Sequence, residues 1–416
     1  MEEVSGSEEV LVDRTVDSEL VNTEAGSDTN SDSCTASKTA NDAAKESTWQ
    51  VSVSGPRKQG ENLDQYMTYT ITIKTSHPDF IDKEFNVVRR YSDFEWVRNR
   101  LISSFRGYII PPLPEKTIIN RFDEEFIVYR RRELERFLKR IVLMEDLLRS
   151  DDLVTFLQGP EHKFVQLKSA TTEQKMPYHR GFIGLIKDKI TTAKPSSVAG
   201  DQEEDSWFED QRKYWMSIGC HFNTLLTRSH LLTKRIADIN QVLSDFSAVC
   251  NTLSNEEAPV DPQLSGMYKK LSETINQLGS IQKDYEYDQK DLFTDTLKDW
   301  IRIIRSIEDV FEDLNHDRRC YQNSIKSREN KQNQFHRHPS SDVAQLAMNE
   351  AEVHENSCRN RFRQMSKTSR EELKRVLVQK RQELMGAMRS FVQGNMNYHL
   401  GAASLWKEAL TFEQTL

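Results

Sequence analysis

The sequence predicts a multidomain chain: a small α+β domain with a three-stranded antiparallel sheet and helices, then an all-α domain of three long helices in a dimeric coiled-coil bundle. The chain has 416 residues, whereas single hydrophobic cores stop growing near about 250 residues. Only three of its eleven prolines follow Pro195, and proline-free stretches favour long helices. Charged residues make up 29% and apolar residues 37%, a balance typical of solvated helices and unusual for a globular α/β enzyme.

The first 48 residues differ in composition from the rest. They contain 12 acidic and 3 basic side chains and many Ser and Thr residues. The net charge of the whole chain is -8, so the remainder is close to neutral. An acidic segment without a periodic apolar pattern cannot bury enough surface to offset its chain entropy. We therefore expect residues 1–48 to form a disordered acidic tail.

Three segments after this tail alternate apolar and polar side chains and are rich in β-branched residues. They cover residues 49–53, 66–73 and 85–88. Both features are typical of strands with one buried face. The sequence therefore predicts a small antiparallel sheet of three strands.

Helix signals follow the strands. Ser92 and Glu95 have the spacing of a capping box, which predicts the start of a helix. A proline-rich loop leads to a second helix, and a short last helix is expected at 153–157, so that the α+β domain spans 49–160. The basic residues of the second helix are expected to form a solvated face: Arg131, Arg132, Arg136, Lys139 and Arg140.

Residues 161–200 are predicted to form a linker that contains an amphipathic helix at 181–194. At 100° per residue, its apolar side chains fall on one side of the helix and Lys187 and Lys194 fall on the opposite side. A basic amphipathic helix of this kind can lie in the headgroup layer of a membrane as a wedge. The alternative is a linker helix that packs on the following bundle. The predicted wedge residues are Phe182, Ile183, Leu185, Ile186 and Ile190.

Residues 201–416 are predicted to form the helical domain, because prolines occur there only at two turns. The three helices are expected at about 203–255, 263–335 and 340–414. A helix of about 70 residues is ~105 Å long, so the three must pack along one another. Apolar residues of the middle helix are mostly three and four positions apart, as in a coiled coil. The stripes at 222–226 and 300–304 are too wide for one chain to cover, which predicts dimerisation.

Three short motifs in the α+β domain are separated in sequence and contain most of its chemically specific residues. They are Arg-Arg-Tyr-Ser-Asp-Phe at 89–94, Pro-Pro-Leu-Pro-Glu-Lys at 111–116 and Tyr-Arg-Arg at 129–131. In this order they resemble the motifs of the phox-homology (PX) family, whose members bind phosphatidylinositol 3-phosphate on endosomal membranes. The resemblance implies the same lipid as the ligand of this chain.

The resemblance also implies a role for four residues. Arg90 would hold the 3-phosphate, and Tyr91 would lie against the inositol ring. Lys116 would reach the 1-phosphate, and Arg130 would bond the 4- and 5-hydroxyls. These residue types suit the ligand, because a guanidinium can donate two parallel hydrogen bonds to a phosphate. The alternative is that the four side chains form ordinary surface ion pairs.

The order of PX domain, amphipathic linker and three-helix region resembles the SNX-BAR family of sorting nexins. Residues 205–210 and 300–311 are similar to the retromer-associated sorting nexin 1 and 2 group. The resemblance implies a crescent-shaped BAR dimer, either a homodimer or a heterodimer with another SNX-BAR protein. Basic residues near the turn between the second and third long helices are expected to face the membrane: Arg318, Arg319, Lys326, Arg328 and Lys331.

The family resemblance implies a function in endosomal cargo sorting. The protein would bind the cytosolic face of early endosomes, sense or induce curvature, and take part in retromer-linked retrograde transport. The alternative is a PX-targeted dimeric signalling or cytoskeletal scaffold that does not remodel membranes.

Sequence features of enzymes and metal proteins are missing. The five cysteines form no CxxC pair, which argues against a disulfide framework or a zinc site. The chain contains no Gly-rich phosphate loop, GxSxG or HExxH motif. We therefore expect no catalytic residues, no metal, no cofactor and no nucleic-acid partner.

Overall fold

The structure, a computed structural model, describes residues 49–61, 65–77, 82–116, 122–172, 202–288 and 293–413. The predicted acidic tail and the predicted wedge at 181–194 lie outside the described residues. All of the described residues belong to one compact unit that begins at Thr48.

The alternating segments form the predicted three-stranded antiparallel sheet. Its strands are β1 (Trp49–Gln59), β2 (Tyr66–Thr75) and β3 (Glu84–Arg90), in the order β1-β2-β3. Val53 pairs with Ile71, which pairs with Val87 on its other side. All three are buried, because alternate side chains of a strand share one face. This face carries the core of the first domain.

Helices cover the buried face of the sheet. They are α1 (Tyr91–Ser104), α2 (Glu124–Ile141), α3 (Asp151–Gln158) and α4 (Glu161–Thr172). Phe94 of α1 packs edge to face against Phe137 of α2 and Phe156 of α3. Helix α4 was not predicted, and it buries Phe164 against the same core.

The predicted capping box of α1 is wrong by two residues. The N-cap residue is Arg90, whose backbone N–H donates to Oδ2 of Asp93 at 2.8 Å. Ser92 and Glu95 therefore lie inside the helix. Both pairs have the same spacing in the sequence, and the end of β3 decides which of them begins the helix. The arginine predicted to bind phosphate is thus the residue at which strand becomes helix.

Long helices form the second part of the chain, as predicted. They are α5 (Gln202–Glu257), α6 (Pro262–Asp288), α7 (Asp295–Arg337) and α8 (Asp342–Glu413). The first and last have 56 and 72 residues, or about 84 and 108 Å at 1.5 Å per residue. The predicted middle helix corresponds to α6 and α7, and residues 289–292 between them lie outside the described residues.

The apolar stripe on α7 is covered within the chain, contrary to the prediction. Trp300 and Ile304 are buried in a cluster with Trp215 of α5 and Phe362 of α8, and Ile109 of the first domain joins them. The prediction failed because the sequence does not show that the first domain packs on this stripe. Other large apolar side chains are exposed along α5 and α8, among them Val242, Phe246, Val249, Met385, Val392 and Leu400.

The basic face of α2, predicted to be solvated, contacts acidic residues of α7 and α8. Arg132 forms an ion pair with Asp295. Nη2 of Arg140 lies 2.5 Å from Oδ2 of Asp299 and 2.7 Å from Oε2 of Glu383. The side chains of Asp295 and Asp299 are almost completely buried, so the prediction was wrong for both arginines. This side of α2 is an interface between the two domains.

Arg302 of α7 completes this interface. It is buried, donates from Nη1 to the hydroxyl of Tyr129 at 2.6 Å, and forms ion pairs with Glu133 and Asp299. Burial raises the pKa of Glu133, although Arg136 and Arg302 act in the opposite direction. The charge on Glu133 is therefore costly unless both arginines remain in place.

A second contact holds the loop after α1 against the bundle. Gly107 has φ 87°, and a Cβ there would lie 3.2 Å from the carbonyl oxygen of Met365. Arg106 pairs with Asp317, which has no exposed side-chain surface and also pairs with Arg361. Two separate contacts therefore fix the orientation of the first domain on the long helices.

Candidate lipid-binding site

Arg90 lies at the β3–α1 junction with its guanidinium half exposed. Its backbone is extended, with φ -98° and ψ 163°, which turns the chain from the strand into the helix. The side chain has 47% of its surface exposed, and Nε lies 3.7 Å from Oδ1 of Asp93, beyond hydrogen-bond distance. The guanidinium stacks over the ring of Tyr66 at 5.1 Å. An exposed guanidinium held by an aromatic ring is suited to receive an anion.

Tyr91 and Arg130 join three chain segments beside Arg90. The hydroxyl of Tyr91 donates to the carbonyl oxygen of Pro114 at 2.6 Å. The guanidinium of Arg130 lies between the rings of Tyr91 and Phe126, at 4.5 and 4.3 Å, and donates to the carbonyl oxygen of Glu115 at 3.1 Å. The proline-rich loop is thereby tied to both α1 and α2.

Burial affects the ionisation of Tyr91 and Arg130. Burial, together with the nearby charge of Glu95, raises the pKa of Tyr91 to about 12. The hydroxyl therefore stays protonated and can donate to Pro114 at neutral pH. Burial lowers the pKa of Arg130, which neighbouring tyrosines and Glu95 partly offset. A guanidinium remains charged at neutral pH even so.

Lys116 is the last residue of the proline-rich loop and contacts α1. Its Nζ lies 2.8 Å from Oε2 of Glu95. The lysine side chain is 67% exposed and the glutamate side chain 27%. An exposed ion pair of this kind contributes about 0–1 kcal/mol, so an arriving phosphate can compete for the ammonium group at little cost.

The structure therefore brings the four predicted residues to one region of the first domain, where Arg90 and Lys116 are exposed and Arg130 is buried. Arg90, Tyr91, Lys116 and Arg130 come from the β3–α1 junction, the proline-rich loop and α2. The surface presents the cations of Arg90 and Lys116, and the guanidinium of Arg130 is buried against the ring of Tyr91. Such a surface can bind a phosphorylated polyol, with charge-assisted hydrogen bonds to phosphate groups and an apolar face for ring C–H groups.

The five basic residues predicted on the second domain do not form one cluster. Arg318 and Arg319 follow Asp317, so they lie beside the contact with the first domain and about 28 Å before the end of α7 at 1.5 Å per residue. Arg328 forms an ion pair with Glu355. Lys326 is exposed and Lys331 half-buried, both nearer the turn between α7 and α8.

Several residues that organise the site are not apparent from the sequence. Asp93 caps α1, Tyr66 lies under Arg90, and Phe126 lies under Arg130. Glu95 was assigned to a capping box, although its carboxylate pairs with Lys116. The lysine and glutamate are 21 positions apart, and no local pattern connects residues at that distance.

Comparisons with known proteins match two parts of the chain to protein families. Residues 77–160 match the PX domain family, and residues 185–412 match the family described as Vps5 C terminal like. Sorting nexin 1 of Arabidopsis thaliana is 28% identical over 371 residues, which cover 86% of this chain and 91% of that protein. Sorting nexin-2 of Homo sapiens is 28% identical over 66% of this chain and 53% of that protein. The chain thus spans about half the length of its mammalian relative.

A solved structure shares the fold. The SNX-BAR protein Mvp1, whose structure is that of a tetramer, superposes with a TM-score of 0.66 at 17% identity, over 86% of this chain and 99% of that chain. The fold and the site define a PX module joined to a BAR-like helical domain. The chain belongs to the SNX-BAR family of sorting nexins, which are non-enzymatic adaptors of membrane trafficking. In the described part of the chain, no helix is both long and apolar enough to cross a bilayer.

Proposed function

We propose that this protein binds phosphatidylinositol 3-phosphate through Arg90, Tyr91, Lys116 and Arg130. The convergence of these four side chains is the observation that carries the proposal. Arg90 binds the 3-phosphate with its exposed guanidinium, and Lys116 binds the 1-phosphate after leaving Glu95. Arg130, buried between two rings, contacts the ring hydroxyls. Its fixed position leaves little room for a further phosphate at the 4- or 5-position.

Vesicle sedimentation tests this proposal. We expect the full chain to sediment with vesicles of phosphatidylcholine and phosphatidylserine that contain phosphatidylinositol 3-phosphate. Vesicles that contain unphosphorylated phosphatidylinositol, or a monophosphate at position 4 or 5, should bind it more weakly. Equal sedimentation with all of these vesicles would contradict the proposed specificity.

We also propose that the long helices form a dimer that senses or induces membrane curvature. The apolar side chains exposed along α5 and α8 support this proposal, because residues spaced three and four positions apart, such as Val242, Phe246 and Val249, share one face of a helix, and exposed apolar patches mark sites of association. The partner is a second copy of this chain or another SNX-BAR protein. The resemblance to the SNX-BAR family supports a site of action on the cytosolic face of early endosomes, with a role in retromer-linked retrograde transport.

Electron microscopy of the same vesicles separates this proposal from its alternative. A curvature-inducing dimer should convert vesicles that contain phosphatidylinositol 3-phosphate into tubules. A signalling or cytoskeletal scaffold should bind these vesicles and leave them spherical.

The predicted amphipathic segment gives a further test of curvature. Replacing Phe182 and Ile186 with glutamate is expected to preserve sedimentation and reduce the tubulated fraction severalfold, because a buried Phe or Ile side chain contributes about 1.5–3 kcal/mol. A glutamate at Thr191, on the predicted polar side of the segment, should have a smaller effect. Equal tubulation by the double variant and the wild type would remove the wedge from the proposal.

A further inference from the structure

Helix α4 packs directly behind the β3–α1 junction. Phe164 lies in the core, and the guanidinium of Arg89 stacks over its ring at 4.4 Å. The indole Nε1 of Trp96 donates to Oγ1 of Thr171 at 3.0 Å. The helix lies after the residues that match the PX family, yet it supports both the strand and the helix that meet at Arg90.

One residue of α4 reaches the environment of Arg90 itself. Nζ of Lys168 donates to Oδ1 of Asp93 at 2.7 Å and to the carbonyl oxygen of Ser92 at 3.3 Å. The other carboxylate oxygen of Asp93 accepts the backbone N–H of Arg90. The exposed fractions are 22% for the Lys168 side chain and 11% for that of Asp93, so water screens this pair only partly.

The two oxygens of Asp93 thus accept hydrogen bonds from different donors, and the Arg90 guanidinium forms only a longer ion pair with one of them. Oδ1 lies 2.7 Å from the ammonium of Lys168 but 3.7 Å from Nε of Arg90. A carboxylate and a guanidinium form strong two-point hydrogen bonds when nothing intervenes. Without the lysine, the ion pair with Arg90 would remain at Oδ1, and a small side-chain rotation would shorten it to a hydrogen bond.

We infer that Lys168 is a positioning residue for the lipid site: it holds Asp93 and so prevents a close pair between Asp93 and the Arg90 guanidinium, which can then bind a phosphate. The inference rests on the proposed function of Arg90. If Lys168 is removed, Asp93 forms a close, hydrogen-bonded pair with the Arg90 guanidinium. A phosphate must then displace the carboxylate before it can bind Arg90. Helix α4 thereby controls whether Arg90 is available to bind a phosphate.

The test measures binding of a short-chain soluble phosphatidylinositol 3-phosphate to the full chain by calorimetry. Lys168→Met is expected to weaken binding by about two- to fivefold, the range for loss of a partly screened ion pair. Lys168→Arg should restore most of the affinity, because a guanidinium can also hold Asp93. Lys163→Met removes the same charge from an exposed position on the same helix, and it should bind the lipid like the wild type.

A double variant separates an effect through Asp93 from a direct effect of the lysine charge. Asparagine at position 93 can still accept the N–H of Arg90, so Asp93→Asn keeps the helix cap and removes the competing charge. Lys168→Met combined with Asp93→Asn should therefore bind about as well as the wild type. Affinity as low as in Lys168→Met alone would overturn the inference, as would unchanged affinity in Lys168→Met. Failure of the wild type to bind the lipid would instead refute the proposed function.

Discussion

Replacing Arg90 with alanine is expected to weaken binding to vesicles containing phosphatidylinositol 3-phosphate by about a hundredfold or more. A guanidinium donates two charge-assisted hydrogen bonds to a phosphate, each contributing about 1.5–3 kcal/mol, and about 1.4 kcal/mol corresponds to a tenfold change in affinity. The side chain is half exposed and its ion pair with Asp93 is long, at 3.7 Å, so its loss should cost binding and little stability. Sedimentation across a range of lipid concentrations measures the effect.

Two further variants show whether the effect is specific to a guanidinium at this position. Arg90→Lys keeps the charge but cannot form two parallel hydrogen bonds, and it should lose roughly tenfold in affinity. Arg149 has an 81% exposed side chain and lies outside the candidate site, so Arg149→Ala should bind like the wild type. If Arg90→Ala also bound like the wild type, Arg90 could not be the phosphate ligand.

Replacing Arg302 with methionine is expected to lower the free energy of unfolding by about 3 kcal/mol. The substitution preserves much of the side-chain volume but leaves Glu133 and Asp299 buried beside one positive charge fewer. Removal of one partner from a buried ion pair commonly costs 3–5 kcal/mol. The hydroxyl of Tyr129 would also lose its hydrogen bond from Arg302. Denaturant unfolding of the full chain measures the change.

An exposed ion pair provides the matched control for this experiment. Arg212 and Glu209 lie three positions apart on α5, with side chains 35% and 46% exposed. Arg212→Met should change the free energy of unfolding by about 0–0.5 kcal/mol, because exposed pairs on a helix contribute little. Similar small effects of the two substitutions would mean that the domain interface does not depend on Arg302.

The lipid site shows both the reach and the limit of sequence analysis. The resemblance to the PX motifs selected Arg90, Tyr91, Lys116 and Arg130, which the structure brings to one region of the first domain, and their role in binding stays a prediction. The N-cap of α1 was misassigned because residues 90–95 contain two pairs with the same spacing, Arg90 with Asp93 and Ser92 with Glu95. Local sequence does not decide between them, since the choice depends on where β3 stops pairing with β2.

The sequence by itself determined the strands of the first domain and the approximate bounds of the first and last long helices. Side-chain alternation, apolar spacing and the positions of prolines act over a few neighbouring residues, so local patterns are sufficient to predict these elements. The tertiary structure alone decided that Arg140 pairs with Glu383, 243 positions away, and that Lys168 pairs with Asp93, 75 positions away. The strength of such pairs depends on burial, and the sequence does not show which distant segment excludes water from each of them.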